Sequence, residues 1–202
     1  MNIGILGTGS VAKRLEALFS EAGHDVVLGS RSPAFPTVTY REACSGRDVL
    51  VLAIPFSALE SEIADLADTV GSTIVIDATN PLKDDWSPNL LGEENSGGET
   101  VQRLLRDAKV VKGFNTIFAD VMTPDGLDRN GRSATAFLAG DDQKAVDRVA
   151  ELAESIGLHA VPTGPIANSR YLEAMAHLNI AIAVGQGGGT GAAFIYDRGE
   201  PQ

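Results

Sequence analysis

Small residues near the start of the chain have the spacing needed to bring a backbone close to an anionic ligand. Gly7, Gly9 and Ala12 follow the apolar run Asn2–Leu6 and fit the pattern G-x-G-x-x-G/A. Gly7 permits a tight turn from strand to helix, Gly9 lets the backbone approach a pyrophosphate, and Ala12 lets the helix pack close to a sheet. The free N–H groups at the helix N-terminus attract the anion. The pattern therefore predicts a dinucleotide site.

The residues after the second predicted strand indicate which dinucleotide is bound. Asp25–Leu28 is a mostly apolar run, and Gly29, Ser30 and Arg31 follow it. A chain that binds NAD usually carries Asp or Glu at this point to hold the ribose 2′-hydroxyl. Here the Ser30 hydroxyl and the Arg31 guanidinium can receive a 2′-phosphate, and there is no carboxylate to repel it. The sequence therefore favours NADP(H).

The composition bounds the class of protein. The 202 residues are 44% hydrophobic and 21% charged, which predicts a packed globular core. The net charge of −11 argues against nucleic acid or an anionic membrane as the main partner. Cys44 is the single cysteine, and the three histidines are scattered without metal-ligand spacing. No apolar run approaches the length of a membrane span, so we expect a cytoplasmic protein without a metal.

Apolar runs alternate with helical patterns along the rest of the chain. After the first two strands, further strands are predicted at 48–54, 73–77, 109–112, 133–139 and 158–161. Their alternation with helices predicts an α/β fold with a doubly wound, mainly parallel Rossmann-type sheet and a short C-terminal helical extension. We expect an NADP-binding Rossmann-type domain at 1–163, followed at 164–202 by a helix and a Gly-rich tail.

The helix predicted after the third strand has two distinct faces. Ser57 can cap it, and Leu59, Ile63 and Leu66 recur at helical spacing. We expect its acidic residues to form a solvated face rather than a site; they are Glu60, Glu62, Asp65 and Asp68.

Three later segments have open interpretations. Residues 82–98 lack periodicity and leave the C-terminal end of a strand, where ligands bind in open α/β sheets. They form either a mobile cover over the ligand or a surface excursion with Trp86 packed on a neighbour. The helix predicted at 168–184 is apolar on most of its circumference, which favours burial of Tyr171 and a homodimer. The glycines at 185–191 are either a hinge or a surface beneath a bound ring.

Several of these motifs together resemble one family. The run Val110–Ile117 (VVKGFNTI), the early Gly-Thr-Gly and Gly-Ser-Arg, the pair Asn80-Pro81 and the segment Gly164–Glu173 are similar to the NADPH-dependent F420 reductases. The NADPH-binding fold of that family is shared by the STEAP metalloreductases. The resemblance covers nearly the whole chain.

The resemblance implies hydride transfer between the nicotinamide of NADP(H) and a deazaflavin or flavin, with F420 favoured over FMN or FAD. It places Thr8, Ser30 and Arg31 at the 2′-phosphate, and Ala53–Pro55 along the riboses. The side-chain amides of Asn80 and Asn115 would reach the carboxamide or the acceptor ring. Residues 164–202 would complete the acceptor site or a dimer interface. The predicted cofactor-binding residues are Gly7, Thr8, Gly9, Ser10, Val11, Ala12, Ser30, Arg31, Ala53, Ile54, Pro55 and Asn80.

The catalytic candidates are Asn115, Lys112 and His177. Lys112 is either a ligand contact or a structural lysine, and His177 is either a packing residue or a proton donor. F420 carries a phosphate and an oligoglutamate tail, and the basic residues that could receive this tail reduce to Lys83, Lys112 and Arg170.

Two alternative functions use the same fingerprint. A reductase of a small carbonyl or imine would need a general acid from His177, Lys112 or Tyr171. A sensor that binds NADPH would perform no chemistry.

Overall fold

The computed structural model describes residues 1–199, and an eight-stranded sheet forms the centre of this part of the chain. The strands are β1 (Asn2–Leu6), β2 (Asp25–Ser30), β3 (Val38–Thr39), β4 (Val49–Leu52), β5 (Ile74–Asp77), β6 (Lys109–Lys112), β7 (Thr135–Gly140) and β8 (His159–Pro162).

Helices follow most of the strands. They are α1 (Ser10–Glu21), α2 (Tyr40–Cys44), α3 (Leu59–Ile63), α4 (Ala67–Val70), α5 (Gly97–Leu104), α6 (Pro124–Leu127), α7 (Gln143–Ser155) and α8 (Ser169–Ile180). Short 3₁₀ turns lie at Phe56–Ala58, Ala64–Leu66 and Ile166–Asn168, and a π-helical turn at Ala181–Gly185 continues α8.

The strand order is β3-β2-β1-β4-β5-β6-β7-β8. All pairs are parallel except β6 with β7. The order reverses between β1 and β4, and in open α/β sheets ligands bind in the crevice at such a switch point. The predicted doubly wound, mainly parallel Rossmann-type sheet is therefore confirmed.

Both faces of the sheet are covered, which explains the continuous apolar strands. One face packs against α1 and α7, with Ile5 and Val51 of the sheet buried against Phe19. The other packs against α3, α4 and α5, with Leu50 and Leu52 in its core. The crevice at the switch point is thus held between two rigid layers.

The helix predicted from Ser57 keeps its buried face but is broken into short pieces. Leu59, Ile63 and Leu66 are buried as expected. The backbone alternates between 3₁₀ and α-helical turns until Gly71, which has φ of +51° and ends the last piece.

Helix α5 is not predicted from the sequence, because its first two residues, Gly97 and Gly98, are of a type that is typical of loops. Ser96 caps the helix, and its side chain accepts a hydrogen bond from Glu99 N. A Cβ added at Gly98 would lie 2.3 Å from Ser169 Oγ. The glycine is needed for the close approach of α5 to α8, and only the first part of the 82–98 segment is irregular.

The C-terminal residues fold back onto the sheet. Arg129 donates a hydrogen bond of 2.8 Å to Gly191 O, and Phe194 and Tyr196 pack edge-on against Phe137 of β7.

The expectation that Tyr171 is buried is wrong, because its position on the outer face of α8 leaves it 69% exposed. Residues 200–202 of the predicted second domain lie outside the described residues.

Candidate active site

The glycine turn after β1 has the geometry that a pyrophosphate site requires. Gly7 has φ of +124°, and a Cβ added there would lie 2.3 Å from Ala53 O. Gly9 precedes α1 with φ of −75°, and no atom lies within 4 Å of its ideal Cβ position. No side chain of the described residues caps α1. The helix N-terminus therefore faces open space, where its N–H groups and partial positive charge can hold an anion.

A pocket of about 380 Å³ extends from this turn toward the end of β2. It brings together the residues expected at the 2′-phosphate and those expected along the riboses, which come from three separate segments. Its lining includes Thr8, Ser30, Arg31, Ala53, Ile54 and Pro55.

Glu62 also lines this pocket, so the expectation that it belongs to a solvated helix face is wrong. Its carboxylate lies 3.7 Å from Arg31 Nη1, and the Glu62 side chain is 23% exposed against 67% for Arg31. Burial and the Glu62 charge raise the pKa of Tyr40, which also lines the pocket, while Arg31 acts in the opposite direction. No local sequence signal marks Glu62, because β4 and α3 bring it to Arg31 only in the folded chain.

A larger cavity of about 550 Å³ adjoins the first pocket. The two share Gly9 and Ala53–Pro55 in their walls, so one extended ligand can occupy both. The rest of the larger cavity is lined by the start of α1, by the turn after Pro55, by residues after β5 and β6, by the start of the 82–98 segment and by the end of α8. The α8 residues are Ala176, Asn179 and Ile180. Residues 185–191 do not line it.

Two asparagines join the ends of β5 and β6 at this cavity. Asn80 Nδ2 donates to Asn115 O at 2.8 Å, and Asn115 Nδ2 donates to Asn80 Oδ1 at 2.9 Å. Asn115 Nδ2 also donates to Leu172 O of α8 at 3.1 Å. Asn115 Oδ1 and Thr116 Oγ1 are buried without a hydrogen-bond partner among the described residues. Since buried polar atoms are normally paired, these two atoms fit a ligand with amide hydrogen-bonding groups, such as a nicotinamide carboxamide.

Lys112 lies behind the asparagine pair and is fully buried. Its ammonium contacts Asp77 Oδ2 at 2.9 Å and Glu173 Oε1 at 2.8 Å, and donates to Thr79 O at 2.7 Å. Burial lowers the pKa of Lys112, but the charges of Asp77 and Glu173 outweigh this and raise it overall. The geometry therefore favours the structural interpretation of Lys112, whose three hydrogen bonds hold the strand ends beneath the cavity.

Glu173 extends this network to α5. Its carboxylate accepts hydrogen bonds from Gly97 N at 3.0 Å and Gly98 N at 3.1 Å. The carboxylate thus neutralises the positive end of α5 while pairing with Lys112. The network fixes α8, α5 and the ends of β5 and β6 relative to one another.

His177 and Tyr171 lie away from the cavity. His177 Nε2 is 3.2 Å from Pro81 O, to which it donates. Both side chains line a separate groove between α8 and residues 89–95. Neither of these proton donors faces the space where a substrate would meet the nicotinamide.

The 82–98 segment is folded rather than featureless. Leu82 bridges Pro88, and Lys83 N donates to Ser87 O at 2.9 Å. Trp86 has φ of +68° and is 55% exposed, yet its side chain lines the cavity with Lys83 and Asp84. This placement favours the interpretation of the segment as a cover for the ligand rather than as a surface excursion.

Arg170 anchors the second part of the same segment. Its guanidinium forms two hydrogen bonds with the Glu99 carboxylate, at 2.9 and 2.7 Å, and donates to Glu94 O at 2.7 Å. The pKa of Glu99 is lowered chiefly by the hydrogen bond from Arg170. Arg170 is thus bound to the protein's own acceptors rather than directed into the cavity.

Two further structural findings concern the described residues. None of the helices within 1–199 is long and apolar enough to span a membrane. The same residues contain no group of three or more His, Cys, Asp or Glu side chains arranged to hold a metal ion.

Comparison with known proteins identifies relatives in sequence and in fold. A sequence model of the family described as NADP oxidoreductase, coenzyme F420-dependent, matches residues 2–81. The F420-dependent NADP reductase of Methanothermobacter thermautotrophicus is 29% identical over 215 residues, which covers 91% of this chain and 90% of that protein. The metalloreductase STEAP3 of Rattus norvegicus is 31% identical over 182 residues, which covers 86% of this chain and 36% of that protein.

A solved structure extends the similarity over the whole fold. A protein of Arthrobacter sp. FB24, assigned as an F420-dependent NADP reductase, superposes with a TM-score of 0.83 at 26% identity, covering 93% of this chain and 96% of that one. The chain spans about a third of the metalloreductases that it matches but nearly all of the archaeal reductase.

The fold, the glycine turn and these relatives define the class as NADP-dependent oxidoreductases with a Rossmann-type sheet. Within that class, the chain is similar over residues 2–81 to the family described as NADP oxidoreductase, coenzyme F420-dependent, and over nearly its whole length to the F420-dependent NADP reductases.

Proposed function

We propose that this protein transfers hydride between the nicotinamide of NADP(H) and a deazaflavin or flavin, with F420 as the favoured acceptor and FMN or FAD next. One observation carries the proposal. The 550 Å³ cavity is contiguous with the glycine turn, and its walls are largely apolar and amide side chains. Such a cavity suits a planar ring laid against a nicotinamide, because hydride transfer needs close stacking and exclusion of water.

Each part of the site has a role in this proposal. Gly9 and the N-terminus of α1 hold the pyrophosphate, while Ser30 and Arg31 receive the 2′-phosphate. Asn115 and Thr116 orient the carboxamide through their unpartnered oxygens, and Asn80 lines the same cavity while holding the Asn115 amide in place. When bound, NADPH supplies a hydride from C4 to C5 of a deazaflavin or N5 of a flavin and becomes NADP⁺, and the acceptor takes up one proton from solvent.

The three proton donors considered for a carbonyl or imine reductase, Lys112, Tyr171 and His177, do not line the cavity. Lys112 is fully buried behind the strand ends, with Asp77, Thr79 and Glu173 as its partners. His177 faces Pro81 O in a separate groove. A flavin-type acceptor needs no such donor, because its proton can come from water, and the geometry therefore favours it.

Following NADPH absorbance with F420, FMN and a panel of small carbonyls and imines tests the proposal. We expect oxidation of NADPH by F420 and, more slowly, by FMN. Asn115→Leu should lower kcat/KM at least tenfold for either acceptor by removing the amide that faces the cavity, and Asn95→Leu, in the irregular segment outside the cavity, serves as the control. Oxidation by the carbonyl panel alone would overturn the proposal. Tight NADPH binding without oxidation by any compound would support the sensor.

We also propose that the protein works as a homodimer in the cytoplasm, with residues from 164 onward completing the acceptor cavity through α8. Tyr171, Leu178, Ile182 and Val184 are exposed on α8 and its π-helical turn, and a second copy would cover them. Burial raises the pKa of Cys44 to about 11, which fits an unreactive thiol in a reducing compartment. Light scattering at micromolar concentration tests the dimer, and a monomer would overturn it.

A further inference from the structure

We propose that Glu62 is a specificity-determining residue for the dinucleotide, and that its carboxylate accepts hydrogen bonds from the adenosine ribose hydroxyls of NAD(H). The protein then binds both dinucleotides and prefers NADP(H) by a modest factor. The inference rests on the proposed function, in which Ser30 and Arg31 receive the 2′-phosphate, and it adds NAD(H) as a second ligand of the same pocket.

The Glu62 carboxylate lies near the place where a chain selective for NAD carries its ribose ligand. In Rossmann-type folds that ligand is an Asp or Glu shortly after the pyrophosphate turn, at the end of the second strand. Here β2 ends at Ser30, and Glu62 enters the same pocket from α3, together with Thr8 and Gly9 of the turn. Its carboxylate is 3.7 Å from Arg31 Nη1. The fold thus supplies from another element the carboxylate that β2 lacks.

Neither member of the pair Arg31 and Glu62 is committed to the other. Their separation of 3.7 Å is longer than a hydrogen bond. The pair Arg170 and Glu99 shows the contrast, because it forms two hydrogen bonds of 2.9 and 2.7 Å. The side chain of Glu62 is 23% exposed and that of Arg31 is 67% exposed, so the carboxylate is held in the pocket wall while the guanidinium can turn. Both groups are therefore available to a ligand.

A phosphate and a hydroxyl make opposite demands on this pocket. A 2′-phosphate needs donors and is repelled by a carboxylate, whereas a ribose hydroxyl can donate to a carboxylate, which only accepts. With NADP(H), Ser30 and Arg31 bind the phosphate and the charge of Glu62 weakens that binding. With NAD(H), Glu62 accepts from the 2′-hydroxyl and Arg31 balances its charge. Because specificity is a difference between two affinities, Glu62 narrows it from both sides.

Calorimetric titration with NADP⁺ and NAD⁺ tests the inference without any hydride acceptor. The wild type should prefer NADP⁺ by less than about a hundredfold, the most that one charged hydrogen bond contributes. Glu62→Gln should weaken NAD⁺ about three- to tenfold, because a charged acceptor becomes a neutral one, and should not weaken NADP⁺. Glu60→Gln, on the exposed face of α3, should change neither. A larger preference in the wild type, or NAD⁺ binding that Glu62→Gln leaves unchanged, would overturn the inference.

Removing the hydroxyl from the ligand gives a second test. NAD⁺ that lacks the 2′-hydroxyl of its adenosine should bind the wild type about three- to tenfold more weakly than NAD⁺. Glu62→Leu has no acceptor and should bind the two equally, so the cycle isolates the contact between hydroxyl and carboxylate. An equal loss from the missing hydroxyl in both proteins would overturn the inference.

The two dinucleotides also separate this inference from the proposed function. If Glu62→Gln weakened NADP⁺ and NAD⁺ equally, the carboxylate would contact a part that both share, such as the adenine amine, and the inference alone would fail. If Arg31→Ala also weakened both equally, the assignment of the 2′-phosphate in the proposed function would fail as well.

Discussion

The two ends of the proposed site, a dinucleotide end and an acceptor end, are built from different materials. The dinucleotide end uses backbone and polar groups, namely the glycine turn, the N-terminus of α1 and the pair Ser30 and Arg31. The acceptor end is largely apolar, and it is assembled from strand ends, a folded segment and α8. Because of this difference, a change at the dinucleotide end should affect one ligand, whereas a change beneath the acceptor end should affect the fold.

The ion pairs at the two ends show the same contrast. Lys112 and its partners Asp77 and Glu173 are almost completely buried, with contacts of 2.9 and 2.8 Å. Arg31 and Glu62 are 3.7 Å apart, and Arg31 is largely exposed. A buried pair is costly to break, whereas an exposed pair adds little stability and can exchange partners. The first pair therefore holds the structure together, and the second leaves Arg31 free to meet a ligand.

The largest predicted effect is the loss of stability in Lys112→Met. Loss of the ammonium leaves the carboxylates of Asp77 and Glu173 buried without their cation, and we expect the free energy of unfolding to fall by about 3–5 kcal/mol at neutral pH. Urea denaturation measures this free energy of unfolding.

Lys109→Met is the matched control at the other end of β6. Lys109 is 3.5 Å from Asp142, and both side chains are partly exposed, so its loss should change stability little. If the two variants were equally stable, the contrast between a buried structural network and an exposed ion pair would fail.

The glycine turn and the pocket at the end of β2 could be predicted from sequence because the information for them is local. The spacing of Gly7, Gly9 and Ala12 sets the turn, and the residues after β2 set the charge of the pocket. Lys112 stayed ambiguous for the opposite reason. A lysine at a strand end has the same sequence signature whether it meets a ligand or a carboxylate, and Asp77 and Glu173 reach it only after three elements have packed.

The same physical limit applies to other parts of the site. Glu62 was expected in solvent because its helix face is acidic, and the pocket that it lines exists only once β2 and α3 are adjacent. Gly97 and Gly98 were assigned to an irregular segment because glycine is typical of loops, whereas here close contact with α8 requires them. The alternation of strands and helices, by contrast, sufficed for the fold class.

Gly9→Val should raise the Kd for the dinucleotide at least a hundredfold, which effectively abolishes binding, while leaving the fold intact. The ideal Cβ position at Gly9 is open and its φ of −75° suits any residue, so the added carbons would occupy the space of the pyrophosphate. Calorimetric titration with NADP⁺ and a thermal melt measure the two effects.

Gly7→Ala provides the contrasting variant in the same turn. Its φ of +124° and the 2.3 Å approach of a Cβ to Ala53 O should lower thermal stability clearly. If Gly9→Val bound NADP⁺ normally, the pyrophosphate would lie elsewhere. If it melted as early as Gly7→Ala, the two glycines would not have separate roles.

Arg31→Ala should raise the KM for NADPH by about ten- to a hundredfold and leave the KM for NADH nearly unchanged. A hydrogen bond to a charged group contributes about 1.5–3 kcal/mol, and only NADPH carries the 2′-phosphate that receives it. Steady-state kinetics with both dinucleotides measure the ratio. Equal losses for the two would remove the 2′-phosphate from this pocket.

Glu62→Gln should have the smallest effect and the opposite sign. With Glu62 neutral, the Arg31 guanidinium loses its competing partner and the 2′-phosphate no longer meets a carboxylate in the same pocket. We expect NADP⁺ to bind up to about fivefold more tightly, as for an exposed ion pair, with the gain fading at high salt.

Glu60→Gln, on the exposed face of the same helix, should leave NADP⁺ affinity unchanged, and NAD⁺ should gain nothing from either substitution. Weaker NADP⁺ binding in Glu62→Gln would mean that Glu62 positions Arg31 for the phosphate instead of competing with it. In that case the dinucleotide end, like the acceptor end, would depend on an ion pair that must stay intact.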